Sequence, residues 1–139
     1  MTKVFPISEA ASLAIHTMVL LAGDPGKLSS TNGIAAELGV SEAHLAKVLQ
    51  RLAKEGLVKS VRGPAGGFQL SGDPEGIALM EIYEAIDGPF DEHECLLSSG
   101  ECRRDSCVFG DMARSIGGQI REYLSKTTLA QLTDKGDRT

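Results

Sequence analysis

Tryptophan is absent from the 139 residues, and four Phe and two Tyr are the only aromatic side chains. Aliphatic side chains must therefore fill most of the core, which favours a mainly helical fold. Long apolar runs are also missing. The longest, Met18–Ala22, falls far short of the roughly 20 residues a membrane span needs, so no membrane is expected among the partners. The N-terminus shows no basic, apolar and small-residue succession of a secretory leader, and the three cysteines, Cys95, Cys102 and Cys107, are an odd number. Together these point to a cytoplasmic protein with reduced thiols. Net positive charge is lacking too, since the chain carries -5, and at first sight this argues against a nucleic-acid partner.

The charge is unevenly divided, however. Residues 1–70 hold seven Lys/Arg against five Asp/Glu, a net of +2, whereas residues 71–139 hold seven against fourteen, a net of -7. Between Lys47 and Arg62, five basic residues (Lys47, Arg51, Lys54, Lys59, Arg62) stand against one acid, Glu55, and a local net of +4 can contact phosphates whatever the overall balance. With 42% hydrophobic residues the chain can build a real core, and one compact head plus an appendage is expected. Neither an internal repeat nor a low-complexity segment is present.

Ser8 precedes a run in which Ala11, Ala14, Met18, Leu21 and Ala22 share one face, which predicts a helix over 9–22 ended by Gly23 and Asp24-Pro25-Gly26. Ser29 or Ser30 caps a short second helix carrying Ile34, Ala35 and Leu38, stopped by Gly39 in a left-handed conformation. Ser41 is the next N-cap, and Leu45, Val48, Leu49 and Leu52 follow the i, i+3, i+4, i+7 rule of a third helix that buries one stripe and ends at Gly56. The β-branched segment Leu57–Val61 is separated from Phe68-Gln69-Leu70 by Arg62-Gly63-Pro64-Ala65-Gly66-Gly67, a hairpin with a protruding, partly basic tip.

Asp73-Pro74 opens a further helical pattern through Ile77, Leu79 or Met80, Ile82, Tyr83 and Ile86, ended by Asp87-Gly88-Pro89. Residues 87–107 show almost no periodicity and hold every cysteine. From about Cys107, the positions Met112, Ile116, Ile120, Tyr123 and Leu124 recur at helical spacing over about 18 residues, longer than a small head needs. Such a helix wants a partner. Gly117-Gly118 in its middle costs about 1 kcal/mol each against Ala, and a close crossing with a second helix is one compensation. Thr127-Thr128 caps a last turn with Leu129 and Leu132.

Helix, tight turn, helix and hairpin between Ile34 and Leu70 compose a winged helix-turn-helix, so the expected fold is mainly α with a small β-hairpin wing. In that arrangement the second helix enters the DNA major groove, with its N-terminal, solvent-facing side chains at base edges. Here those are Glu42, Ala43, His44, Ala46 and Lys47, while Ser41 as N-cap leaves backbone N–H groups directed at a phosphate. Lys47, Arg51 and Lys54 share one stripe. Lys59 and Arg62 extend it into the wing, where Arg62 meets phosphate or a minor groove and the tip glycines Gly63 and Gly66 bring backbone to the DNA. A basic stripe alone is ordinarily a solvated face; the turn and the glycine-rich tip at matching places make it a DNA reader. No Gly-Lys-Ser/Thr follows the tip, so it is no nucleotide cradle, and without a nucleophile-elbow or metalloprotease signature no enzyme is expected.

At this point a family resemblance becomes specific. Leu57-Val-Lys-Ser-Val-Arg-Gly-Pro-Ala-Gly-Gly-Phe, then Ile86-Asp-Gly-Pro, the three cysteines and a closing Thr128-Leu-Ala-Gln-Leu resemble the IscR/NsrR/CymR regulators, the Rrf superfamily of bacterial winged-helix repressors, over residues 4–132. The resemblance implies a homodimer joined through a long C-terminal dimerisation helix, double-stranded DNA with a palindromic operator and, in cysteine-bearing members, an iron-sulfur cluster held by the cysteine loop. Its nuclearity, [2Fe-2S] or [4Fe-4S], stays open. On this reading residues 1–86 are the winged helix-turn-helix domain, 87–107 the cluster loop, and 108–139 the dimerisation helix and tail.

Taken by itself, Cys-x6-Cys-x4-Cys on a Gly/Ser/Asp-rich loop gives three thiolates freedom to converge on one centre, while zinc, which prefers closely spaced cysteine pairs and four protein ligands, fits poorly. Three unrelated cysteines with one redox disulfide is the alternative. The fourth ligand is open. The iron-sulfur biogenesis branch of the resembling family has His three residues after the last cysteine, where this chain has Gly110. The nitric-oxide-sensing branch uses a carboxylate early in the first helix of the other subunit, where this chain has Ser12. Glu9 and His16 flank Ser12 by one turn on the same face, and some redox-sensing members resemble this chain in having His at that place. His16, contributed by the other subunit, is the first candidate, Glu9 the second and solvent the third; His93 is weaker. Where the biogenesis branch carries an acidic residue followed by Gln, this chain has Ala46 followed by Lys47, so operator sequences do not transfer. The expected function is a cluster-gated repressor sensing redox state, nitric oxide or iron-sulfur status. The alternative is a cluster-free regulator worked by cysteine oxidation or a protein partner.

Overall fold

The computed structural model describes residues 7–90, 108–109 and 111–133. The order of elements is α1 (Glu9–Ala22), α2 (Thr31–Leu38), α3 (Glu42–Lys54), β1 (Val58–Val61), β2 (Gly67–Leu70), a 3-10 turn (Pro74–Gly76), α4 (Leu79–Asp87), α5 (Met112–Lys126) and α6 (Leu129–Thr133). This is the mainly α fold with a β-hairpin wing that the patterning predicts.

Helix α1 is central. Ala11, Ala14 and Met18 have no exposed surface, and the helix packs against α3, α4 and α6. Small alanines let those neighbours approach closely, and Thr17, also fully buried, satisfies its hydroxyl by donating to the Leu13 carbonyl at 2.8 Å. The Ser8 Oγ accepts the Ala11 N–H at 3.0 Å and donates to Asp87 Oδ1 at 2.6 Å, so the cap of α1 is tied to the end of α4. Of the two candidate caps for α2, Ser30 is the one used, its Oγ accepting the Gly33 N–H at 2.9 Å. Gly39 ends that helix at φ 71, where a Cβ would be strained. In α3, Leu45, Leu49 and Leu52 have no exposed surface, and each contributes about 1.5–3 kcal/mol by leaving water.

The pattern beginning at Asp73-Pro74 yields only a 3-10 turn before α4 begins at Leu79. Helix α5 spans 15 residues, Met112–Lys126, and ends where Thr127-Thr128 is expected to open a new turn. Ahead of α4 and between α5 and α6 the backbone is extended in order to pair. The Leu79 N–H donates to the Thr127 carbonyl at 2.9 Å and the Leu129 N–H to the Ile77 carbonyl at 3.0 Å, an antiparallel bridge that seats the fully buried Leu129 on the head. The last turn does follow Thr128, whose N–H donates to Gln131 Oε1 at 2.9 Å, so the glutamine side chain satisfies the donor at the start of α6.

Candidate nucleic-acid interface

Serine 41 starts α3 by accepting the His44 N–H on its Oγ at 3.0 Å. With Leu45, Val48, Leu49 and Leu52 turned inward, Glu42, Ala43, Lys47, Gln50, Arg51 and Lys54 are exposed on the other side. The solvent-facing set at the helix start is narrower than predicted. His44 and Ala46 are half-buried, because they stand four and three positions before the buried Val48 and Leu49 and so border the inward stripe. Gln50 was missed by a reading that followed charge. Its spacing of three from Lys47 and seven from Ala43 is the signal that places it on the same exposed face, and its carboxamide carries both a donor and an acceptor.

The wing continues this surface. Strands β1 and β2 pair antiparallel with Val58 opposite Leu70 and Lys59 opposite Gln69. Val58 and Leu70 are buried against the head, while Lys59 and Arg62 are exposed. The Gly66 N–H closes the tip on the Gly63 carbonyl at 2.9 Å. A Cβ at Gly66 would overlap the Val61 carbonyl, so the tip's path depends on that glycine. The wing is also fastened from its far side. The Ser29 N–H donates to the Phe68 carbonyl at 2.9 Å, the Phe68 N–H returns to the Ser29 carbonyl at 2.8 Å, and Gln69 Nε2 donates to the Gly26 carbonyl at 3.2 Å. The segment before α2 therefore sets the wing's angle to the helix-turn-helix.

On α1, Glu9 and His16 are exposed and Ser12 between them is half-buried. His16 Nδ1 lies 2.7 Å from the Ser12 carbonyl. A carbonyl only accepts, so Nδ1 carries the proton, and in the neutral tautomer that makes this bond the lone pair is on Nε2. Cys95, Cys102 and Cys107 lie outside the described residues, as do His93 and Gly110. Among the described residues no group of three or more His, Cys, Asp or Glu is placed to hold a metal ion, so His16 and Glu9 are single donors there.

Helix α5 has two faces. Gly117 and Leu124 are buried on its inner side, whereas Met112, Ile116 and Tyr123 are 51%, 43% and 55% exposed at helical spacing on the outer side. Val108 and Phe109 extend that apolar strip. No helix among the described residues is long and apolar enough to cross a membrane.

Comparison with known proteins adds to this geometry. A family model described as "Rrf2: Iron-dependent Transcriptional regulator" matches residues 7–135. The HTH-type transcriptional regulator IscR of Yersinia enterocolitica serotype O:8 / biotype 1B is 35% identical over 104 residues, which are 75% of this chain and 63% of that protein. The chain thus spans less than two thirds of the length of that curated relative. Among solved structures, CymR (YrzC), the global cysteine regulator of B. subtilis, superposes with a TM-score of 0.77 at 30% identity, covering 99% of this chain and 100% of that one. T. potens IscR superposes with a TM-score of 0.75 at 27% identity, covering 96% and 90%.

Proposed function

The chain belongs to the Rrf2 family, and from that membership we propose that it is a homodimeric DNA-binding transcription regulator, a repressor, whose grip on a palindromic operator is gated by an iron-sulfur cluster. The observation that carries the proposal is the exposed basic stripe of α3 running on into the wing. In each subunit Ser41 turns the helix N-terminus to a phosphate, and Glu42, Ala43, His44 and Lys47 approach base edges. Arg51, Lys59 and Arg62 hold phosphates, and the tip backbone at Gly63 and Gly66 comes close to the adjacent groove.

The second copy meets the first through the outer strip of α5. Two such strips facing each other bury apolar surface that is otherwise in water. Ile116→Asp places a charge in the middle of that contact. In sedimentation velocity the variant is expected to run as a monomer and, having lost bivalent attachment, to bind a two-half-site duplex on the order of 100-fold more weakly. An unchanged dimer removes α5 from the interface.

Three thiolates, Cys95, Cys102 and Cys107, are the donor set an iron-sulfur cluster takes, and the lone pair of His16 Nε2 suits the remaining position, with Glu9 the second choice. The donor chemistry fits. When bound, the cluster supplies a centre that responds to redox state, nitric oxide or iron supply; [2Fe-2S] and [4Fe-4S] are both compatible with this set. The chain's own contribution is to orient His16 through the Ser12 carbonyl and to hold the entrance of the cysteine segment against α4 and α5. After anaerobic purification the protein is expected to be reddish-brown, with the visible absorbance and bound iron lost in Cys102→Ala. A colourless parent protein with neither iron nor sulfide overturns the cluster reading.

A second reading draws on the likeness to CymR. There the cysteines work as redox thiols, or a protein partner throws the switch, without a cluster. It predicts iron-free protein whose DNA affinity changes on thiol oxidation, so iron analysis separates the two.

A further inference from the structure

The chain leaves α4 through Gly88 and Pro89 and reaches Phe90, the last described residue before the segment 91–107 that carries all three cysteines. Phe90 is gripped from two helices at three points. Its N–H donates to Glu84 Oε2 of α4 at 3.1 Å, and its carbonyl lies 3.5 Å from Arg121 Nη2 of α5. Its ring sits 5.4 Å from the Arg121 guanidinium and edge-on to Tyr83, with centroids 5.4 Å apart and planes at 68°. The Glu84 bond and the two ring contacts fall within the range of attractive contacts, and the Arg121–carbonyl separation is at the outer limit of a hydrogen bond. Phe90 is almost wholly buried, 7% exposed, although it stands at the start of a segment that leaves the helix.

The other end of the cysteine segment also arrives at α5. The Met112 N–H donates to the Phe109 carbonyl at 3.1 Å as that helix begins. Met112 and Arg121 are nine positions apart on one helix, about 13.5 Å at 1.5 Å per residue. The segment therefore starts from a residue shared by α4 and α5 and ends at the first turn of α5, whose outer face carries Met112, Ile116 and Tyr123. Phe90 thus places the entrance of the segment on the contact between α4 and α5.

We infer that Phe90 and Arg121 are positioning residues of the switch, joining the entrance of the cysteine segment to α5 so that an event at the cysteines shifts that helix against the head. The inference rests on the regulator reading above, but it holds equally for a cluster and for free thiols. Glu84 fixes the α4 side of Phe90, and Arg121 is the link that passes the displacement on.

The test uses the full chain in three forms, unchanged, Arg121→Gln and Arg121→Lys, and a duplex selected in vitro for binding to the unchanged chain. Affinity is measured before and after alkylation of the cysteines with N-ethylmaleimide, which removes free thiols and thiolate ligands alike. Alkylation is expected to change the affinity of the unchanged chain by at least about fivefold and that of Arg121→Gln by less than about twofold. Arg121→Lys, which keeps a cation over the Phe90 ring, is expected to recover most of the response. Equal helical circular dichroism and equal iron content before treatment show that fold and cysteine chemistry are intact in all three, which a merely structural arginine would not leave with a missing response. A full response in Arg121→Gln overturns the inference alone. No response in the unchanged chain overturns the regulator reading together with it.

Discussion

Alanine at Arg51, Lys59 and Arg62 together is expected to take away most of the salt dependence of duplex binding. If each of these residues meets a phosphate in both subunits, the unchanged dimer makes about six contacts, and its log affinity falls against log salt with a slope of roughly -5. Between about 50 and 200 mM salt that amounts to a loss on the order of 1,000-fold, whereas the triple variant binds weakly throughout with a nearly flat response. All three side chains are exposed, so their removal opens no cavity and the thermal midpoint is expected to stay near that of the parent. The overall charge of -5 is no obstacle, because the basic residues are concentrated on α3 and the wing. A flat slope in the unchanged chain, or an unaltered slope in the variant, removes this surface from the binding model.

Gly66→Ala is expected to damage DNA binding by another route. The added methyl would overlap the Val61 carbonyl, which is main chain and cannot step aside as a side-chain tip would, so the turn from Arg62 to Gly67 must take another path. Arg62 moves with it. The double hydrogen bond between Ser29 and Phe68 resists that movement further along the strand, so the distortion concentrates at the tip. Affinity for duplex DNA is expected to fall at least about tenfold, equivalent to 1.4 kcal/mol, while far-ultraviolet circular dichroism keeps its helical signal. Gly26→Ala is the control, since a Cβ there meets nothing within 4 Å and the Gly26 carbonyl that receives Gln69 is retained. Equal losses in the two variants would show that the tip geometry is not what matters.

Much of the head was legible because its signals are local. The stripe Leu45, Val48, Leu49 and Leu52 needs only the 3.6-residue period. Ser8, Ser30 and Ser41 act as caps because a short hydroxyl side chain can reach an N–H three residues on. Gly39 and the tip glycines announce their conformations through the side chain they lack. The misreadings arose where a distant partner intervened. Ile77 and Ala78 continue a helical pattern yet are extended, because Thr127–Leu129, some fifty residues away, offers a hydrogen-bonding edge. His44 and Ala46 looked solvent-facing, but the margin of a buried stripe depends on how closely the neighbouring elements pack.

By itself, then, the sequence determined the fold class, the exposed basic face of α3, the basic wing and the family, since each follows from periodicity, capping chemistry or a motif of adjacent residues. Tertiary structure decided where α4 and α5 begin, which serine caps α2, how the wing is fastened to Ser29, and that Phe90 is held between Glu84 and Arg121. The physical reason is sequence separation. A helix period or a cap is satisfied within a few residues, but a bridge between residues 78 and 128, or a cation over a ring 31 residues away, exists only after the chain has folded back on itself.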